Sequence, residues 1–163
     1  MAARASERAA RLAALQRTIE TETAAVVRLH ALLLREQQLL IAAEPEGLLA
    51  LVAEKQSALT EVEDRARSRQ TLMAAAGLPG DPDQAELRMS GHRSLAAAWR
   101  SLRRVARDAR IANSLNGSLA ERRLRFVSAR LDVLRGASGH AGTYCPDGRS
   151  TDARASGRII AAA

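Results

Sequence analysis

The stretch AEPEG, residues 43–47, interrupts a long run of helical sequence. Before it, apolar residues recur at alternating spacings of three and four from Leu12 to Leu40, which is the pattern of a heptad seam. Pro45 would break a helix interior because it lacks an N–H group and its ring clashes with the preceding turn, but it suits the first turn of a new helix. The stretch therefore predicts that one helix ends here and a second begins.

Each of the two predicted helices carries two charged residues in its apolar seam. These are Glu22 and Glu36 in the first helix and Lys55 and Arg69 in the second. If the helices fold back on each other about residues 44–47, Glu36 faces Lys55 and Glu22 faces Arg69. Opposite charges placed in this way would set the register of an antiparallel hairpin, as polar seam residues do in coiled coils. The alternative is that each is a long side chain at the edge of the seam with its charge in water.

A third helix is predicted after the loop AAGLPGDPDQ, whose two glycines and two prolines are incompatible with continued helix. It is predicted from about Ser94, and an earlier start near Asp83 is left open. This helix should end at Gly136, where a glycine commonly closes a helix. The predicted fold is all-α, an elongated antiparallel helical hairpin plus a third long helix in a three-helix coiled-coil-like bundle, with a flexible C-terminal tail. The predicted helical domain is 1–136, with helices at about 5–43, 46–76 and 84–135, and the tail is 137–163.

Positive charge is concentrated in the second half of the chain. Residues 1–90 carry 11 basic and 13 acidic side chains, a balance of −2, whereas residues 91–163 carry 14 and 5, a balance of +9. Five arginines lie on one broad side of the third predicted helix: Arg100, Arg103, Arg104, Arg107 and Arg110. Aromatic residues for base stacking make up only 2% of the chain. A solvated arginine face, or one that meets an acidic partner, is therefore favoured over nucleic-acid binding, which stays an alternative.

No pattern of catalytic or metal-binding residues stands out. A di-metal site in a helical bundle would need inward-facing Glu-x-x-His pairs, which the sequence lacks. Cys145 is the only cysteine, so no internal disulfide can form, which fits a reducing compartment. No uncharged apolar window of about 18 residues occurs. We therefore expect no enzyme activity, no cofactor, no metal, no stable membrane insertion and a cytoplasmic location.

The segment NSLNGSLAERRLRFVSARLDVLRG, residues 113–136, and the segment TYCPDG, residues 143–148, resemble the C-terminal region of the FlgN family of flagellar export chaperones. The shared features are an Asn-rich mid-helix segment, a helix that closes in Leu-x-x-Leu and glycine, and a tyrosine before an Asp-Gly turn. LLALVAEKQSALTEVE, residues 48–63, is similar to the family's second-helix pattern. The resemblance covers roughly residues 10–150.

The resemblance implies a cytoplasmic chaperone of type III protein export in flagellum biogenesis. Such a chaperone binds the C-terminal helical segments of the hook-filament junction proteins FlgK and FlgL and prevents their premature assembly. It then delivers them to the cytoplasmic domain of the export gate protein FlhA. By motif, the resemblance implies a gate contact through Tyr144, with Asp147 and Gly148 in the turn that follows it.

Client segments of that kind are amphipathic helices, whose usual receptor is an exposed apolar groove. The cleanest apolar strip in the basic half is Leu124, Val127, Leu131 and Leu134, and we expect it to contact the client. The alternatives are that this strip packs on the hairpin and that Tyr144 folds back onto the bundle. A coiled-coil structural adapter that self-assembles through its stripes is a further functional hypothesis. The sequence leaves open whether the chain forms a homo-oligomer.

Overall fold

The computed structural model describes the backbone of residues 2–139 and the side chains of residues 6–136. This part of the chain contains four helices and no strand, which confirms the all-α prediction. The helices are α1 (Ala2–Ala42), α2 (Pro45–Ala75), α3 (Pro82–Met89) and α4 (Arg93–Gly139). The chain divides into two units, Met1–Glu121 and Arg122–Ala163, so that the division falls inside α4.

The turn between α1 and α2 lies in the stretch that the sequence singles out. Pro45 occupies the first turn of α2, as predicted. Ala43 is left-handed, with φ 67°, and the N–H of Glu44 donates to the carbonyl of Leu39 at 3.2 Å. This arrangement is the C-terminal motif that normally takes a glycine at the left-handed position. The chain therefore reverses at Ala43 in a conformation that alanine rarely adopts.

The C-terminus of α2 uses the same motif with the expected residue. Gly77 has φ 68°, and the N–H of Leu78 donates to the carbonyl of Met73 at 2.9 Å. Glycine has no Cβ and enters this region without steric cost. The two helices of the hairpin thus end in one geometry, but only α2 has the residue that favours it.

The core of the first unit is built on the α1 seam. Leu15 and Ile19 are fully inaccessible to solvent, and Leu33 is nearly so. They belong to one apolar cluster with Met73 of α2 and Trp99 of α4. The alternation of three and four in α1 therefore marks the face that is buried, because those spacings keep side chains on one side of a helix.

α4 begins at Arg93, close to the start predicted at about Ser94, but a single helix from 84 to 135 is corrected by a break after Met89. The Ser90 hydroxyl donates to the carbonyl of Leu87 at 2.7 Å, and the N–H of His92 donates to the carbonyl of Met89 at 2.8 Å. Gly91 between them has no helix-forming side chain, so the chain tightens into a turn instead of continuing. At its other end α3 is capped by Asp81.

The break lets α3 fold back along α4. A carboxylate oxygen of Asp83 lies 2.7 Å from the Arg103 guanidinium, whereas 20 residues of continuous helix would separate the two by about 30 Å. The indole N–H of Trp99 donates to the carbonyl of Pro82 at 3.2 Å. A short acidic helix therefore covers part of α4.

Gly136 does not end the third helix. α4 continues to Gly139, and an added Cβ at Gly136 would meet nothing within 4 Å. Glycine is common just after a helix but is also accommodated inside one at a cost of about 1 kcal/mol relative to alanine. The predicted boundary was wrong because a single glycine is a weak stop signal without a proline or a capping contact beside it.

Candidate functional site

The charged residues of the two seams meet across the hairpin. The Nε of Arg69 donates to a carboxylate oxygen of Glu22 at 2.6 Å, and only 5% of the Glu22 side chain is exposed. The same guanidinium lies over the ring of Trp99, 5.3 Å from its centroid. Arg69 thus links α1, α2 and α4. Whether the pair sets the register of the hairpin stays a prediction.

The second pair is part of a larger polar network. The ammonium of Lys55 donates to both carboxylate oxygens of Glu36 at 2.8 Å. The amide of Asn116, which is 3% exposed, donates to the same carboxylate at 2.8 Å and to the carbonyl of Leu33 at 2.7 Å. Its carbonyl oxygen has no hydrogen-bond partner among the described residues. One asparagine of α4 is therefore tied to both helices of the hairpin, a contact that the sequence analysis missed.

The predicted client-binding strip is exposed along the end of α4. The exposed fractions are 69% for Leu124, 52% for Val127, 45% for Leu131 and 62% for Leu134. Phe126 beside them is 60% exposed, with the Arg130 guanidinium 4.7 Å from its ring centroid. A run of large apolar side chains in water is the feature that marks interaction surfaces on folded proteins. Its role in client binding stays a prediction.

The basic side of α4 is not uniform. Arg103 bonds to Asp83 and to Glu86, and these two bonds raise the pKa of Arg103 above its ordinary value. Arg100 also lies within ion-pair distance of Glu86, at 3.8 Å. By contrast, no ion pair joins Arg107 or Arg110 to an acidic group among the described residues. α3 therefore neutralises part of the arginine face of α4, for which nucleic-acid binding was an alternative.

A groove of about 720 Å³, the α2–α4 groove, lies between α2 and α4, and Glu22 and Val26 of α1 also line it. Its floor includes the buried side chains of Val26, Met73 and Leu102, and the guanidinium of Arg69 lies in it. Nothing in the spacing of either helix predicted this groove. It depends on how far apart α2 and α4 are held, which no local pattern encodes.

The predicted gate residues Tyr144, Asp147 and Gly148 lie outside the described residues. Within residues 6–136, no group of three His, Cys, Asp or Glu side chains is placed to hold a metal ion. Among the described residues, none of the helices combines the length and the hydropathy that a membrane span requires. The described helices form an all-α scaffold. The longest of them, α4, buries one apolar stripe and exposes another. This arrangement is typical of the class of coiled-coil-like helical proteins.

The chain matches the family described as FlgN protein over residues 11–152, which is most of its length. It belongs to the FlgN family, as its C-terminal segments suggested. Comparison with curated proteins gave no match, and comparison with solved structures gave none either. The FlgN family consists of flagellar export chaperones and is not known for enzymatic activity. Membership indicates a general role in flagellar assembly, with other flagellar proteins as partners.

Proposed function

We propose that the chain is a cytoplasmic export chaperone for the hook-filament junction proteins FlgK and FlgL. It binds their C-terminal helical segments through the strip Leu124, Val127, Leu131 and Leu134, which prevents premature assembly. The observation that supports this most directly is the exposure of that strip in a member of the FlgN family. An amphipathic client helix would cover the strip with its own apolar face.

Calorimetric titration with a C-terminal segment of FlgK or FlgL tests the proposal. Val127→Asp places a charge in the middle of the strip and should weaken binding at least tenfold, since burying one such side chain contributes about 1.5–3 kcal/mol. Ser128→Asp is the matched control, because the neighbouring residue is also exposed but lies off the strip. Failure of the parent protein to bind either client would refute the function. Equal affinity of the two variants would refute the assignment of the strip.

The delivery step is proposed to use Tyr144, with Asp147 and Gly148 in the turn after it. Tyrosine is enriched among the residues that contribute most to binding at protein interfaces, and the Pro-Asp-Gly sequence that follows Cys145 is typical of a turn. Tyr144→Ala should leave client affinity unchanged and weaken binding to the FlhA cytoplasmic domain. Titration of both partners with the same variant separates these effects, and unchanged affinity for FlhA would contradict the assignment.

A further inference from the structure

The α2–α4 groove follows α4 for about three turns. On the α4 side its lining runs from Trp99 to Arg110, which is about 17 Å of helix at 1.5 Å per residue. That length suits one face of an elongated segment, such as a helix of about three turns, laid along the groove.

Three arginines of α4 line the groove. Arg103, Arg107 and Arg110 lie at positions i, i+4 and i+7, so they share one helix face. Arg103 is satisfied by Asp83 and Glu86 of α3, whereas Arg107 and Arg110 are exposed and have no ion pair with an acidic group among the described residues. Two guanidinium groups are therefore available, one turn apart, above a floor that combines apolar side chains with the paired charges of Glu22 and Arg69.

The surroundings favour a polypeptide over a nucleic acid. Among the described residues, two of the groove's arginines lack an acidic partner, which is a short row of positive charge for a phosphate backbone. Trp99 is 4% exposed and its indole N–H is bonded to Pro82, so its ring is not available to stack on a base. A helix offers apolar side chains for the floor and carboxylates at the spacing of two arginines one turn apart.

We propose that the α2–α4 groove binds an amphipathic helix that carries carboxylates along one edge of its apolar stripe. The apolar stripe lies on the floor near Val62 and Leu102, and carboxylates spaced three or four residues apart bond to Arg107 and Arg110. No residue of the groove belongs to the strip at the end of α4. The site therefore goes beyond the proposed function and is testable without FlgK, FlgL or FlhA.

The probe is a synthetic amphipathic helix with a leucine stripe and two glutamates, four residues apart, at its edge. A twin peptide has glutamines in place of the glutamates. Fluorescence titration against the full chain should show at least tenfold tighter binding of the glutamate peptide, and added salt should reduce that difference. The double variant Arg107→Glu with Arg110→Glu should lose the preference. Arg104→Glu, which changes an exposed arginine of the same helix outside the groove, should keep it.

A melting curve for each variant shows whether the fold is intact, and we expect little change because all three arginines are exposed. Equal binding of the two peptides by the parent protein would overturn the proposal. So would loss of the preference in the Arg104 variant to the same degree as in the double variant. A single-stranded oligonucleotide is titrated in parallel, and binding of it that depends on Arg107 and Arg110, without binding of the glutamate peptide, would assign the groove to nucleic acid instead.

Discussion

The two ends of α4 carry apolar stripes of the same spacing with opposite exposure. Leu95, Trp99 and Leu102 are at most 5% exposed, whereas Leu124 and Val127 are more than half exposed. Both sets would be read from sequence as the buried face of an amphipathic helix. The comparison teaches that periodicity identifies a face but not what covers it, since the exposed stripe and the buried stripe have the same spacing.

The arginines that pack on the two ends of α4 also differ in burial. Replacing one at each end should give the largest difference in the free energy of unfolding. Arg69→Met leaves the carboxylate of Glu22 buried without its partner, so the free energy of unfolding should fall by about 3–5 kcal/mol. Arg130→Met, in the second region, should change it by less than about 0.5 kcal/mol because both Arg130 and Phe126 are exposed. Urea denaturation followed by circular dichroism measures both values. Similar losses of unfolding free energy in the two variants would mean that the Glu22–Arg69 pair stabilises the fold less than its burial indicates.

Matched leucine truncations test the apolar side of the comparison. Leu102→Ala should lower the free energy of unfolding by roughly 2–5 kcal/mol, because it removes buried methyl groups and leaves a cavity. Leu124→Ala should lower it by no more than about 0.5 kcal/mol, since that side chain is already in water. Thermal and urea denaturation give the two values. A large loss at Leu124 would show that the end of α4 is covered within the chain, which would remove the basis for a client surface there.

Two asparagines near the middle of α4, where the buried stripe ends, differ in burial. Asn116→Ala removes bonds to Glu36 and to the Leu33 carbonyl, so the free energy of unfolding should fall by about 1–3 kcal/mol. The control is Asn113→Ala, because this exposed asparagine lies three residues earlier on the same helix. Equal effects of the two substitutions, measured by urea denaturation, would argue against the three-helix network.

Glycine substitutions give the smallest expected effects and differ in sign. Gly117 lies within α4, and an added Cβ would meet nothing within 4 Å, so Gly117→Ala should stabilise the chain by about 1 kcal/mol. Gly77 has φ 68°, and Gly77→Ala should therefore destabilise it by about 1 kcal/mol. The melting temperatures should move in opposite directions. A Gly117 variant that melts lower would indicate that α4 is not regular helix where its buried stripe gives way to the exposed one.

The hairpin could be predicted because its determinants are local and periodic. Pro45 sets the helix boundary through its own ring, and the seam follows from 3.6 residues per turn. The pairing of Glu36 with Lys55 follows from those two facts alone, because an antiparallel fold at a known turn fixes which positions face each other. The family could be predicted from the segments after Asn113, although the residues proposed to contact the gate lie outside those that the structure describes.

What the sequence by itself determined is the all-α class, the position of the hairpin turn and the opposition of charges across it, since each depends on residues near one another or on a fixed helical period. Only the tertiary structure decided that α3 separates from α4, that Ala43 takes a left-handed conformation and that Asn116 joins the hairpin network. It alone showed that Arg107 and Arg110 line a groove while Arg103 is neutralised. Those features arise where residues far apart in the chain meet, and the free energy of such contacts depends on the distance and burial that packing imposes.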